Sequence, residues 1–222
     1  RKFKFTLLNS PIVNAFALPG GYIYLTRGLL ALCQNEAQLA GVIAHEIGHI
    51  TARHTARRYT KNIGTSLVAN ILGSLTNNIL VRNLIDTSAS LYLFSFSRNQ
   101  EYEADLLSTR YMIRAGFDPR EMANFLEIME NYSDLQKVIT KNNSQKTSEL
   151  LQTHPTSSKR VTEVVKNSSE KIPINPIIGK EIFLKKIDGL VFGDKSQNGF
   201  FTRNKFIHRT LGFSFSLNNN FY

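Results

Sequence analysis

The sequence predicts an α+β fold, mostly helical, with a small antiparallel sheet near its start and a short β-rich extension at its end. Three observations carry that reading. Apolar residues recur at helical spacing through several stretches between residues 36 and 165. Two β-rich runs flank Pro19-Gly20-Gly21, a strong hairpin signal, just before the first long helix. Beyond Gly179 the composition shifts to Phe, Gly and Asn, and Phe213-Ser214-Phe215-Ser216-Leu217 alternates with period two.

In order, residues 2–6 alternate and read as a strand. Residues 9–11 form a turn, and residues 12–18 and 22–26 are the two arms of the hairpin. An edge of such a sheet can hold an extended peptide by main-chain hydrogen bonds, although a plain core hairpin would have the same spacing. Residues 28–33 read as a short helical piece. Asn35 with Gln38 three positions on reads as a capping box, so a long helix should begin near Glu36. Leu39, Val42, Ile43, Ile47 and Ile50 line its apolar stripe. Ala40, Gly41, Ala44, Gly48 and Ala52 make a side where another backbone can approach closely.

Residues 60–97 are helical in pattern and interrupted by Asn and Gly. They would lie over a cleft, against a membrane or partner, or in the core. Residues 98–114 form the next helix, ended by Gly116 and Asp118-Pro119, and residues 120–132 form another. Residues 136–148 are polar and read as a mobile loop. Ser157 or Ser158 could cap a last helix through Val165, and residues 168–176 read as a linker. Residues 183–190 suggest a short helix, and residues 200–206 and 211–217 suggest strands that must pack on the body or continue beyond Tyr222. The division expected is a first domain over 1–170 and a linker with a β-rich extension over 171–222.

Composition narrows the partners. The chain has 222 residues, enough for a sizeable core. It begins at Arg1 without an initiator methionine or a signal-like segment and reads as a piece of a longer chain. A single cysteine, Cys33, rules out an internal disulfide framework. The formal charge of +10 points to acidic surfaces such as anionic lipid or nucleic acid. The basic residues are scattered and no nucleic-acid motif is present, so a solvated basic surface is the better reading and no nucleic acid is expected. No run reaches the roughly 18 apolar residues of a membrane-spanning helix.

The chemistry is concentrated in His45-Glu46-Ile47-Gly48-His49. Two histidines four apart lie one turn apart on the same helix face and can take two corners of one tetrahedral zinc site. Glu46 projects near the metal without binding it and can take a proton from a water there. A core helix with two satisfied histidines is the alternative. Glu101 and Asp105 share a face of a second helix, and Glu103 points away from both. His54 would sit about 140° around the helix from His49, so it is expected as a polar residue at the helix end and not as a ligand.

Four stretches together carry a family resemblance: residues 14–21 (Asn-Ala-Phe-Ala-Leu-Pro-Gly-Gly), His45–His49, residues 97–105 (Ser-Arg-Asn-Gln-Glu-Tyr-Glu-Ala-Asp), and Thr153-His154-Pro155 with Arg160. With these the chain resembles the HtpX/BepA-type zinc metallopeptidases, gluzincins related to the CAAX prenyl proteases, and most of all their bacterial periplasmic BepA-like members. The resemblance implies a zincin-like endopeptidase holding one Zn2+ through His45, His49 and Glu101, with Asp105 orienting a ligand. It implies Glu46 as general base, and His154 with Arg160 as groups acting on the transition state. In BepA-like members the histidine matching His154 caps the zinc and holds the enzyme off. It further implies that Asn14, Ala15, Phe16 and Ala17 form the strand that receives substrate. The substrates would be misfolded or misassembled proteins of the bacterial periplasm or envelope, with membrane-surface or outer-membrane assembly partners. A chaperone-like quality-control module with latent proteolysis is the alternative. BepA carries helical repeats after its protease domain, whereas no 34-residue period appears here.

Overall fold

The computed structural model describes residues 2–57, 96–139, 150, 153–154, 158–169, 172–193, 199–202 and 205–216. Most of the helical pattern at 60–97, and the polar loop beyond residue 139, fall outside the described residues. The elements run β1 (Lys4–Leu8), β2 (Ala15–Leu18), β3 (Tyr22–Thr26), α1 (Arg27–Leu32), α2 (Glu36–Thr51), α3 (Arg98–Arg114), α4 (Arg120–Ile139), α5 (Ser158–Ser169), α6 (Lys180–Ile187), β4 (Phe200–Thr202), β5 (Lys205–His208) and β6 (Phe213–Ser216). The fold is mostly helical α+β, as its sequence pattern predicts.

The first sheet has the order β1-β3-β2. The hairpin forms as expected, β2 pairing antiparallel with β3 so that Phe16 faces Tyr24. β1, however, runs parallel to β3, with Phe5 opposite Ile23, so this sheet is mixed and not purely antiparallel. The chain passes from β1 through residues 9–14 into the hairpin, which places β3 in the middle and β2 at an edge among the described residues. The second sheet, β4-β5-β6, is antiparallel throughout and pairs Phe206 with Phe215.

α2 is the centre of the molecule. Its N-cap is Asn35, whose side chain accepts from the Gln38 N–H at 2.8 Å. The reciprocal arm of the box is shifted by one residue, because Gln38 Oε1 accepts from the Gln34 N–H. One flank of α2 joins a core of Val13, Leu25, Leu29, Val42, Phe125 and Met129. Another joins Ala44, Met112, Met122, Leu126 and Val164. The small-residue side meets α3: a Cβ at Gly48 would lie 3.1 Å from the Ala104 carbonyl oxygen and 3.2 Å from its Cα. That approach, reinforced by the Ser108 hydroxyl donating to the Gly41 carbonyl at 3.1 Å, sets α3 directly against the histidine-bearing helix.

Residues 172–193 make specific contacts with the elements before them. Ile177 forms a bridge with Phe117, and the Ile178 carbonyl accepts the Ala37 N–H, one of the unpaired donors of the α2 N-terminus, at 3.0 Å. Phe183 enters the first core cluster. Buried Arg27 donates to the Val191 and Gly193 carbonyls, the latter at 2.9 Å. α4 extends to Ile139, so the start of the expected loop at residues 136–139 is helical, and α5 runs on to Ser169. Among the described residues no helix is long and apolar enough to cross a membrane.

Candidate metal centre

Two helices and a short turn bring four buried side chains to one point. α2 supplies His45 and His49 from successive turns. α3 begins with a full capping box, Ser97 with Gln100, which fixes Glu101 in its first turn. His154 comes from a turn whose backbone is held by His154 N–H donating to the Leu150 carbonyl at 2.7 Å. One ligand atom from each of His45, His49, Glu101 and His154 lies within 4.8 Å of the others, and all four residues are buried.

The geometry of the cluster can be tested against a tetrahedral ion. Zinc–ligand bonds of about 2.0–2.1 Å put the corners of a tetrahedron roughly 3.3–3.4 Å apart. His45 Nε2 lies 3.0 Å from His49 Nε2 and 3.3 Å from His154 Nδ1. Glu101 Oε1 lies 3.0 Å from His154 Nδ1 and 3.5 Å from His49 Nε2, and its Oε2 lies 3.4 Å from His45 Nε2. These nitrogen and oxygen atoms lie together at the spacing of ligands on a small cation, so the residues fit a metal ion.

Three of the four side chains are held from behind. His45 Nδ1 lies 3.0 Å from Asp105 Oδ1. Arg160, 3% exposed, donates to both Asp105 oxygens at 2.8 Å and places Nη1 2.9 Å from Glu101 Oε2. Arg160 therefore grips two carboxylates behind the cluster, which is not the placement expected of a group aimed at a reacting carbonyl. His49 contacts His54 through their Nδ1 atoms at 3.0 Å. His54, three residues past the end of α2, stays outside the four-residue cluster as expected but is fully buried; its Nε2 lies 3.0 Å from Glu103 Oε2.

Charge and burial oppose one another here. Burial pulls the His45 imidazole down, but its hydrogen bonds to Asp105 and Glu101 outweigh that and raise it to about 9. Burial together with the neighbouring imidazoles holds His49 well below the usual histidine range, which favours its neutral form. Burial would raise Glu101, yet His154 and His45 hold its carboxyl well below the ordinary range. Burial would likewise raise Asp105, but Arg160 and His45 keep it low. Glu46 goes the other way, since its burial raises it more than His154 and His45 lower it.

The hairpin edge adjoins the cluster. The Thr26 N–H donates to the Asn14 carbonyl, so by the alternation of an antiparallel ladder Ala15 and Ala17 turn their main-chain groups to the open edge while Phe16 bonds inward. The Ala17 N–H donates to the Glu46 carboxylate. Glu46 Oε1 also lies 3.5 Å from His154 Nε2. Beside Glu46 and His154 a pocket of about 30 Å3 is lined by Val42, Met122, Met129 and Leu150. A cleft of about 420 Å3 opens on the His49 side between Pro19-Gly20 and Arg53.

A family model for "Peptidase family M48" matches residues 1–168. The chain is 40% identical over 115 residues to the "Mitochondrial metalloendopeptidase OMA1" of Arabidopsis thaliana, covering 51% of this chain and 23% of that protein. It is 31% identical over 191 residues to the "Beta-barrel assembly-enhancing protease" of Yersinia pestis, covering 82% and 37%. The protein of the same name in Escherichia coli K12 is 30% identical over 207 residues, covering 88% and 40%. The chain thus spans well under half the length of these relatives.

Proposed function

The chain belongs to peptidase family M48, a metallopeptidase family, and on that premise we propose a zinc-dependent endopeptidase that cleaves misfolded or misassembled proteins of the bacterial envelope. The observation that carries the zinc assignment is the spacing of the ligand atoms of His45, His49, Glu101 and His154, which matches the edges of a zinc tetrahedron. One Zn2+ per chain, bound by His45, His49 and Glu101, would supply Lewis-acid polarisation of the scissile carbonyl and acidify the attacking water. The envelope assignment follows the assembly-enhancing proteases, with which the chain aligns over 82% and 88% of its length. Outer-membrane assembly partners are proposed on the same ground. We assign residues 1–170 to the metallopeptidase domain and residues 171–222 to its linker and extension.

The chain's own residues supply the rest. An extended substrate pairs with the open edge of β2 along Asn14, Ala15, Phe16 and Ala17. Glu46 takes the proton of the attacking water and delivers it to the leaving amine; its raised pKa brings the base nearer neutrality. Asp105 holds His45, and Arg160 holds Asp105 and Glu101 in place. The test joins a metal analysis to casein cleavage by wild type and Glu46→Gln. The wild type should carry about one zinc per chain and cleave, while the variant keeps its metal and loses cleavage. Equal cleavage by both, or a wild type without zinc, would overturn the reading.

A second reading rests on His154. Its Nδ1 sits at the fourth corner of the cluster, where an imidazole competes with water for zinc. With His154 there, the pocket beside Glu46 has about 30 Å3, room for a water and little more. The arrangement supports a resting state in which His154 caps the metal and a quality-control protein keeps its proteolysis latent.

A further inference from the structure

His49 has a partner that a three-ligand metal motif does not call for. The helix carrying it ends at Thr51, and two residues on Arg53 takes a φ of +58°. That conformation is uncommon for a residue with a side chain. Here it interrupts the helix, and His54 lies against His49. His54 is 0% exposed. It lies with its Nδ1 3.0 Å from His49 Nδ1 and its Nε2 3.0 Å from Glu103 Oε2. Phe96 stacks on the His49 ring with 3.9 Å between centroids. The ring is thus held on one face by Phe96 and at its edge by His54.

The direction of each hydrogen bond follows from connectivity. His49 turns Nε2 toward the cluster, and a ligand nitrogen must offer a lone pair. A neutral imidazole with a bare Nε2 carries its proton on Nδ1. The His49–His54 bond therefore runs from His49 Nδ1–H to His54 Nδ1. His54 then carries its own proton on Nε2, the atom facing the Glu103 carboxylate. Each bond has one donor and one acceptor, and the chain of bonds ends on a carboxylate that is 48% exposed.

We propose that His54 and Glu103 are positioning residues for the metal. They fix His49 in the Nδ1–H tautomer and orient its Nε2, as Asp105 does for His45. This rests on the metallopeptidase reading of the same cluster. The three acidic residues of the Glu101-Tyr102-Glu103-Ala104-Asp105 stretch then divide the work, Glu101 as ligand, Glu103 as support for His49 and Asp105 as support for His45.

The test is zinc affinity, measured on the purified chain by competition with a chromogenic chelator, with thermal unfolding of the metal-free forms in parallel. His54→Ala should weaken zinc binding about 10–100-fold, and Glu103→Gln about three- to tenfold, with little change in metal-free melting. His54→Gln, which keeps an acceptor and a donor, should recover most of the loss. Affinity within about twofold of wild type in both His54→Ala and Glu103→Gln would overturn the proposal. So would a loss that His54→Gln does not relieve. If His54→Ala does not fold, Glu103→Gln decides, because its side chain is at the surface. A wild type that binds no zinc overturns the metal reading and this inference together, whereas zinc-loaded wild type with indifferent variants overturns only the inference.

Discussion

Replacing Arg160 with alanine separates two roles for a buried guanidinium. Arg160 donates to Asp105 at 2.8 Å through two nitrogens and lies 2.9 Å from Glu101. Truncation leaves two carboxylates, 3% and 1% exposed, with only imidazoles to balance them. Removing one partner of a buried ion pair costs about 3–5 kcal/mol. At about 2–4 °C per kcal/mol for a domain of this size, the metal-free protein should melt roughly 6–20 °C lower. The pH dependence has a definite sign. Asp105 is held below its ordinary pKa, so its stabilisation is complete above the unfolded value and is lost as pH falls through the folded one. The deficit of the variant should therefore be full at neutral pH and shrink in acid. Zinc, by neutralising Glu101, should restore part of the melting temperature. The assay is circular dichroism melting with and without one equivalent of zinc, alongside metal content and kcat. Metal-free melting within about 2 °C of wild type, full zinc and a collapsed kcat would refute this reasoning and return Arg160 to the transition state.

The other predictions concern the two ends of the cleft. His154→Ala should raise basal proteolysis severalfold with zinc content unchanged, as measured by casein release; a fall in kcat of about a hundredfold would instead make His154 an oxyanion group, and no change would leave it a structural histidine. Ala17→Pro should reduce peptide cleavage at least about tenfold while metal content stays at the wild-type value, because the Ala17 N–H makes no ladder bond to β3 and its bond to the Glu46 carboxylate lies on the proposed base and not on a metal ligand. Unchanged cleavage by a folded Ala17→Pro protein would move the substrate to another surface.

Much of this arrangement is legible in local signals. Pro19-Gly20-Gly21 marks the hairpin, and Gly116 with Asp118-Pro119 marks the end of α3. What escapes them is set at longer range. No local pattern says which side of the hairpin β1 will join, because that depends on where residues 9–14 cross the sheet. His54 escapes for a sharper reason: an angle counted at 100° per residue holds only while the helix continues, and the left-handed Arg53 breaks it beyond Thr51. Arg53 carries no glycine or asparagine signal for that conformation. Phe183 lies in a stretch that reads as an appendage, and its burial in the cluster of Val13 and Leu29, beside the Ile177 and Ile178 main-chain bonds, ties that stretch to the body. Arg160 is placed near the centre by the family resemblance alone, and its partners could not be chosen without the packing of α3 and α5.

The contact between Gly48 and Ala104 changes what the five-residue signature means in this fold. Read as a pattern, the two positions between Glu46 and His49 accept any residue. Read as a helix crossing, the second of them is where α3 is clamped, and even one added carbon would sit 3.1 Å from a main-chain oxygen. Any retreat of α3 would carry Glu101, three residues before Ala104, away from the imidazoles by a comparable amount, and a metal site tolerates only a few tenths of an ångström. The gap between the two helices is thus a gauge for the ligand distance, and a pattern search that leaves this position open would admit chains whose histidines could never share an ion with the distant carboxylate.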